Sequence, residues 1–161
     1  MAAKIVEMHT IVLPALRLIG KQCDFEIHKF VENWNEWIDN GWFEQLEKLG
    51  VAPENGDMYL GVTENSGGYW IGLLFPPNVI APNGFEYAEI PETKFAIAKF
   101  DGKKDKELLD VDGINLIIEE VRKRGLIPAP LWSGWCIERY SRPNSPDGNG
   151  KILLDCLYEI Y

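Results

Sequence analysis

The sequence predicts an α+β fold built from two pseudo-symmetric strand–helix–strand–strand modules with antiparallel sheets. Three observations predict it: two amphipathic helical segments, short strand-like segments around each of them, and a central stretch rich in Pro and Gly. The order strand, helix, hairpin occurs twice, with little sequence identity between the halves. Neither half is large enough to bury its own apolar face, so the two are expected to pair. A cleft is predicted where they meet.

The first module is predicted to cover about residues 4–76, and it begins with a strand and a long helix. An apolar run over residues 9–19, broken by Pro14, is typical of a strand. A helix is predicted over about residues 27–50, with an interruption at Asn40-Gly41. The apolar side chains of its first half fall on one helical face: Phe30, Trp34, Trp37 and Ile38. The two tryptophans of this face are therefore predicted to be core residues.

A hairpin is predicted to close the first module. Strands over residues 58–63 and 69–75 flank a loop at residues 64–68, whose Asn, Ser and Gly residues favour a tight turn. Several Pro, Asn and Gly residues then mark a linker over about residues 77–84.

The second module, over about residues 85–161, repeats the same order, and the two modules together are predicted to form a single domain of residues 1–161. Charged residues favour a loop at 101–106, and Pro, Asn and Gly favour another at 142–150. The helix between these loops is predicted to end at Gly125. The predicted elements are an extended segment at 85–90, a strand at 94–100, a helix at 108–124, and strands at 131–140 and 151–161.

The composition excludes several classes of protein. Hydrophobic residues make up 46% of the 161 residues, which predicts a packed core and not a disordered chain. The formal net charge is −9, so the surface repels the phosphates of nucleic acids, and no direct nucleic-acid binding is expected. The largest basic cluster, residues 122–124, lies at the C-terminal end of a predicted helix, where the helix dipole stabilises cations.

The cysteines and histidines predict neither a metal site nor a cofactor. Cys23, Cys136 and Cys156 are scattered, so we expect small buried residues of a reduced, cytoplasmic protein. His9 and His28 have no metal-ligand companion at useful spacing. The N-terminus lacks the apolar run of a signal peptide, and no segment approaches the ~20 apolar residues that cross a bilayer.

A carboxylate stands among aromatic residues near the end of the chain. Alternate residues of an extended strand share a face, and in the predicted strand 131–140 that face carries Trp132, Gly134, Cys136, Glu138 and Tyr140. Leaving a carboxylate buried and unpaired costs on the order of several kcal/mol. We therefore expect Glu138 to have a partner: a ligand, a tyrosine hydroxyl, or Arg139 or another base. The alternative is a surface carboxylate paired with a cation of a neighbouring strand.

The tryptophans outside the first helix face are candidates for the walls of the cleft. Trp70 follows Tyr69, Trp132 and Trp135 flank a Ser-Gly step, and Trp42 follows Gly41. Aromatic faces hold flat or cationic ligands. The alternative for these residues is packing within the core of the sheet. The predicted ligand-binding residues are thus Glu138, Tyr140, Trp132, Trp135, Tyr69, Trp70 and Trp42.

Three segments of the second module carry a resemblance to a known family. They are the entry segment Phe85-Glu-Tyr-Ala-Glu-Ile-Pro91, the strand Lys94-Phe-Ala-Ile-Ala-Lys-Phe100, and the late strand Cys136-Ile-Glu-Arg-Tyr140. They resemble the GyrI-like small-molecule-binding domains, which also occur as effector-binding parts of multidrug-sensing transcription regulators. The resemblance implies two pseudo-symmetric modules, aromatic cleft walls and a glutamate on the cleft floor, which here is Glu138.

The resemblance implies more than one function. The first hypothesis is a stand-alone protein that binds aromatic, hydrophobic or cationic compounds, for drug or toxin sequestration or for sensing. The alternative is a hydrolase that opens the cyclopropane ring of DNA-alkylating natural products, with Glu138 activating or positioning water and a tyrosine hydroxyl stabilising the oxyanion. Tyr140 is the candidate for that hydroxyl, with Tyr69 or Trp70 nearby. A third hypothesis is a module that modulates a protein partner through its acidic surface. No helix-turn-helix segment precedes the first strand, so we do not expect transcription control by this polypeptide alone.

Overall fold

The computed structural model describes residues 5–23, 30–64, 68–100, 111–141 and 153–161, and these residues form an α+β fold. The strands are β1 (Ile5–Leu13), β2 (Leu16–Cys23), β3 (Tyr59–Thr63), β4 (Tyr69–Phe75), β5 (Glu86–Ile90), β6 (Thr93–Phe100), β7 (Cys136–Tyr140) and β8 (Leu153–Glu159). The helices are α1 (Phe30–Asp39), α2 (Trp42–Glu47) and α3 (Val111–Lys123), with a short 3-10 helix at Pro53–Asn55. The predicted loops at 101–106 and 142–150, and His28, lie outside the described residues.

All eight strands join one continuous antiparallel sheet. Their order across the sheet is β1-β6-β8-β7-β3-β4-β2-β5. The prediction of antiparallel strands is confirmed. Separate sheets are not observed, because β3 pairs directly with β7 and so connects strands from the two halves of the sequence.

Two of the predicted elements of the first half are each divided in the structure. Pro14 separates β1 from β2 where one strand was predicted, because proline has no N–H for the strand ladder. Gly41, with a φ angle of 64°, separates α1 from α2. This left-handed conformation is readily adopted by glycine, and it ends the first helix.

The predicted strand over 131–140 begins only at Cys136. The residues before it form a turn, in which the Ser133 amide donates to the Pro130 carbonyl at 3.0 Å. Trp132 has a φ angle of 66°, a conformation rare for a bulky residue. The predicted alternation is therefore wrong for Trp132 and Gly134, which do not belong to the strand.

The sheet has an apolar cluster on each face. All three helices pack on one face, and we call the apolar residues there the helix-side cluster. Trp34 and Trp37 of α1 are 0% and 1% exposed within it, which confirms that they are core residues. The opposite-side cluster contains, among others, Leu60, Val62, Trp70, Trp135 and Ile137.

Candidate functional site

Glu138 lies near the middle of the sheet, on the face that the helices cover. Its neighbours on the same face of β7, Cys136 and Tyr140, belong to the helix-side cluster. Glu138 is 5% exposed. The alternative of a surface carboxylate is therefore wrong.

The residues directly beside Glu138 in the sheet are small. Its Cα partners are Gly61 on β3 and Cys156 on β8. Continuing across the sheet in both directions, the pairing places these residues in one row: Met8, Ala98, Cys156, Glu138, Gly61, Ile71 and Lys21. Because glycine has no side chain, the space above β3 next to the carboxylate is available to a residue from a more distant strand.

That space is occupied by Tyr69 of β4. A Cβ atom added to Gly61 would lie 2.2 Å from the Tyr69 hydroxyl oxygen and 3.4 Å from Cζ2 of Trp34. The tyrosine thus leans over β3 towards β7. Burial, followed by the charge of the Glu138 carboxylate, raises the pKa of Tyr69 well above its ordinary value of 10.0. Its phenol therefore stays neutral at physiological pH and keeps a proton to donate.

A second tyrosine binds the carboxylate directly. The Tyr140 hydroxyl donates to Oε1 of Glu138 at 2.5 Å, which is possible because residues i and i+2 of a strand share a face. The Trp34 ring lies edge-on to the Tyr140 ring, with centroids 5.1 Å apart and planes at 68°. An indole from α1 therefore packs against the phenol that holds the carboxylate.

Two thiols, one on β7 and one on β8, complete the surroundings of the carboxylate. The Sγ atoms of Cys136 and Cys156 are 3.3 Å apart, and both residues are buried. The hydrogen bond with Cys136, and then burial, raises the pKa of the Cys156 thiol well above its ordinary value of 9.0. This thiol stays protonated and acts as a small, nearly apolar surface.

Arg139 is paired elsewhere. Its guanidinium binds the Asp155 carboxylate through two hydrogen bonds, of 2.5 Å from Nε and 2.6 Å from Nη2. Arg139 follows Glu138 in an extended strand, so its side chain lies on the other face of the sheet. The structure therefore selects the tyrosine hydroxyl, and not Arg139, among the partners predicted for Glu138.

The structure brings together only part of the predicted site. Tyr69 and Tyr140 lie at Glu138, whereas the four predicted tryptophans lie elsewhere. Trp70 and Trp135 belong to the opposite-side cluster, and the indole N–H of Trp70 donates to Glu64 at 3.0 Å. Trp132 is 38% exposed in the turn before β7. Trp42 lies at the start of α2, edge-on to Trp37 with centroids 5.5 Å apart. A role of these residues in binding stays a prediction.

Two residues of the site were not predicted. Trp34 was assigned only to the core, and Gly61 was not considered. A glycine inside a strand indicates close approach of another group, and Leu60-Gly61-Val62 carries that signal. For Trp34 the sequence carries no such signal, because a core tryptophan and one that covers a buried carboxylate have the same helical pattern.

The arrangement can attract positive charge. A buried carboxylate attracts a cation more strongly than an exposed one, because the surroundings screen it less. Aromatic rings such as those of Trp34 and Tyr69 attract cations through their faces. Among the described residues, no group of three or more His, Cys, Asp or Glu side chains has the geometry to hold a metal ion.

The fold is similar to several solved structures. The structure of SAV2435 bound to tetraphenylphosphonium has a TM-score of 0.65 and 14% identity, and the match covers 96% of this chain and 93% of that one. The C-terminal domain of EcmrR also gives a TM-score of 0.65, at 9% identity, over 100% of this chain and 99% of that one. A protein of Staphylococcus aureus MU50, described as a putative bacterial transcription regulation protein, gives 0.59 at 14% identity, over 96% and 97%.

These similarities establish the fold that the chain shares with these proteins. No protein-family model matches the chain, and no curated protein matches it. None of the described helices has the length and apolar character needed to cross a membrane.

Proposed function

We propose that this protein binds aromatic cations at Glu138, as a GyrI-like domain that senses or sequesters such compounds. The observation that carries the proposal is a carboxylate 5% exposed, held by Tyr140 and surrounded by aromatic rings. A flat or bulky cation placed there meets a negative charge and aromatic surfaces together, which is the combination that recognises hydrophobic cations.

The shared fold supports the ligand class. SAV2435, which is similar over 96% of this chain, was solved with tetraphenylphosphonium, a cation that carries four phenyl rings. The three sequence segments that resemble GyrI-like domains support the same class. Cys136–Tyr140, the third of these segments, is the strand that places Glu138 in the middle of the sheet.

The strand order supports the two-module description of this domain. The counterparts in the two halves are β1 and β5, β2 and β6, β3 and β7, and β4 and β8. Exchanging the members of each pair gives the same order of strands across the sheet, in reverse. The pseudo-twofold axis then lies between β3 and β7. Glu138 and its partner Gly61 lie on these two strands, so we place the ligand at the junction of the modules.

Tryptophan fluorescence provides a direct test, because Trp34 lies beside the proposed site. The purified protein is titrated with tetraphenylphosphonium and with other aromatic cations. We expect saturable quenching in the parent protein and an affinity at least about tenfold lower in Glu138→Gln, since an interaction with a charged group is lost. Glu7→Gln is the matched control, because Glu7 undergoes the same change of charge at a side chain that is 58% exposed.

The outcomes distinguish binding at Glu138 from non-specific binding of hydrophobic cations. Equal affinity in Glu138→Gln and in Glu7→Gln contradicts the role of Glu138, and the absence of saturable binding by every cation contradicts the proposed function. The cyclopropane hydrolase predicted as an alternative gains no support from the comparisons, so binding is the single function proposed.

A further inference from the structure

A cavity on the same face of the sheet lies apart from Glu138. It has a volume of about 260 Å³, is open to solvent, and lies between β2, α1 and the start of α2, with Lys21, Asn33, Trp37 and Trp42 in its lining. Lys21 and Glu138 belong to the same row of the sheet, with Ile71 and Gly61 between them. Three strand spacings separate the two residues, or roughly 14 Å between their Cα atoms.

One wall of this cavity is aromatic and carries a positive charge. The Nζ atom of Lys21 lies 3.7 Å from the ring centroid of Trp42 and 5.1 Å from that of Phe85. Trp37 meets Trp42 edge-on, with planes at 86°. These contacts hold the ammonium group at the aromatic wall and fix its position before any ligand arrives.

The second donor in the lining is the side-chain amide of Asn33. The side-chain nitrogen of Asn33 is buried and is without a hydrogen-bond partner among the described residues. Asn33 precedes Trp37 by one helical turn, so both lie on the side of α1 that lines the cavity. A buried donor without an acceptor is unfavourable by about 1–3 kcal/mol, and an acceptor supplied by a ligand removes that cost.

We propose that this cavity is a second binding site, for small aromatic carboxylates. The carboxylate accepts hydrogen bonds from the Lys21 ammonium and from the Asn33 amide, and the ring of the ligand packs against Trp37 and Trp42. The volume fits a ligand with one ring or two small rings. Glu36 also lines the cavity, but it is exposed, so its charge is screened; it disfavours ligands with a second negative charge.

The proposed site selects a charge opposite to that selected at Glu138. It also gives Trp42 a place in binding, although not the place that the sequence predicted. Since three strand spacings separate Lys21 from Glu138, the proposal of a second site does not rest on cation binding at Glu138.

Indole resonances in two-dimensional NMR test the proposal, because each of the six tryptophans contributes one indole N–H signal. Benzoate is titrated into the labelled protein, with neutral benzamide as the matched ligand, and the Trp37 and Trp42 signals are assigned with the Trp→Phe variants. We expect saturable shifts of these two signals with benzoate and an affinity about tenfold lower for benzamide. Lys21→Gln is expected to weaken benzoate binding about tenfold, whereas Lys99→Gln, at a lysine whose side chain is 47% exposed, is expected to change it less than twofold.

A second variant covers the event that Lys21→Gln does not fold. Asn33→Asp replaces the donor by a negative charge of the same shape, and we expect it to abolish measurable benzoate binding. The proposal is overturned if benzoate produces no saturable shift of Trp37 and Trp42 in the parent protein. It is also overturned if benzoate binds a folded Lys21→Gln or Asn33→Asp variant as tightly as the parent.

Discussion

The contact between Gly61 and Tyr69 makes a quantitative prediction about the floor of the site. In Gly61→Ala, the new methyl group would lie 2.2 Å from the hydroxyl oxygen of Tyr69 and 3.0 Å from its Cζ atom. Tyr69 is 2% exposed, so its ring has little room to move. Forcing a methyl group into such a contact costs about 1–3 kcal/mol, and the smaller entropy of the unfolded alanine chain offsets about 0.5–1 kcal/mol. We expect a net loss of about 1 kcal/mol, and at most about 2.5 kcal/mol, in the free energy of unfolding.

Urea denaturation of a double-mutant cycle measures this contact. Tyr69→Phe removes the oxygen atom and so the shortest part of the clash. The double variant is therefore expected to be more stable than the sum of the single changes predicts, by about 1 kcal/mol or more. Gly50→Ala is the matched control, since a Cβ there meets nothing within 4 Å and the φ angle of 84° is its source of strain. Its combination with Tyr69→Phe should be additive.

Additive effects of Gly61→Ala and Tyr69→Phe, within about 0.5 kcal/mol, would refute the close packing of Tyr69 over β3. The same variants connect packing to function. If Gly61 gives Tyr69 its place beside Glu138, Gly61→Ala should also weaken the binding of aromatic cations, measured by the fluorescence titration described above.

Three further predictions concern residues around the site. Arg139→Met should lower the free energy of unfolding, measured by urea denaturation, by about 3 kcal/mol, because Asp155 is 4% exposed and loses its guanidinium partner. Adding Asp155→Leu should restore most of that loss. Trp70→Phe should lower the free energy of unfolding by about 1–3 kcal/mol, through the lost bond to Glu64 and the smaller ring in the core. It should change cation affinity less than twofold, since Trp70 lies on the opposite face of the sheet. Because the pKa of Tyr69 is raised in the folded state, this residue contributes its full stability below pH 10.0, and the contribution is lost as pH rises towards the folded pKa. The free energy of unfolding of the parent protein should therefore fall with pH above 10.0. In Tyr69→Phe that fall should be smaller, by up to about 1.4 kcal/mol per pH unit.

Local elements of the fold were predictable because their signals are local. The hairpin strand over 69–75 coincides with β4, since turn residues define its start and a proline follows its end. The end of α3 before Gly125 was also predicted, and the φ angle of 74° at this glycine explains it. Pro14 and Gly41 were recognised as interruptions, but whether an interruption bends an element or divides it depends on what packs against it.

The site was predictable only in part, because its composition depends on pairing between distant segments. The acidity and aromatic surroundings of Glu138 were visible in the sequence, and Tyr140 follows from strand alternation. The pairing of β3 with β7, which places Gly61 and Tyr69 beside the carboxylate, has no signature in either segment alone. Tyr69 and Trp70 were both predicted to line the cleft, although adjacent residues of a strand lie on opposite faces. The turn that removes Trp132 from β7 requires a backbone conformation that no sequence rule assigns to tryptophan.

The claim that Glu138 selects positive charge is tested most directly with two ligands of nearly identical shape and opposite charge. Tetraphenylphosphonium and tetraphenylborate are titrated calorimetrically into the parent protein and into Glu138→Gln. If Glu138 is the anchor, the parent binds the cation at least about tenfold more tightly than the anion, and Glu138→Gln loses most of that preference. Equal preference for the cation in both proteins, or no preference in the parent, would contradict the account.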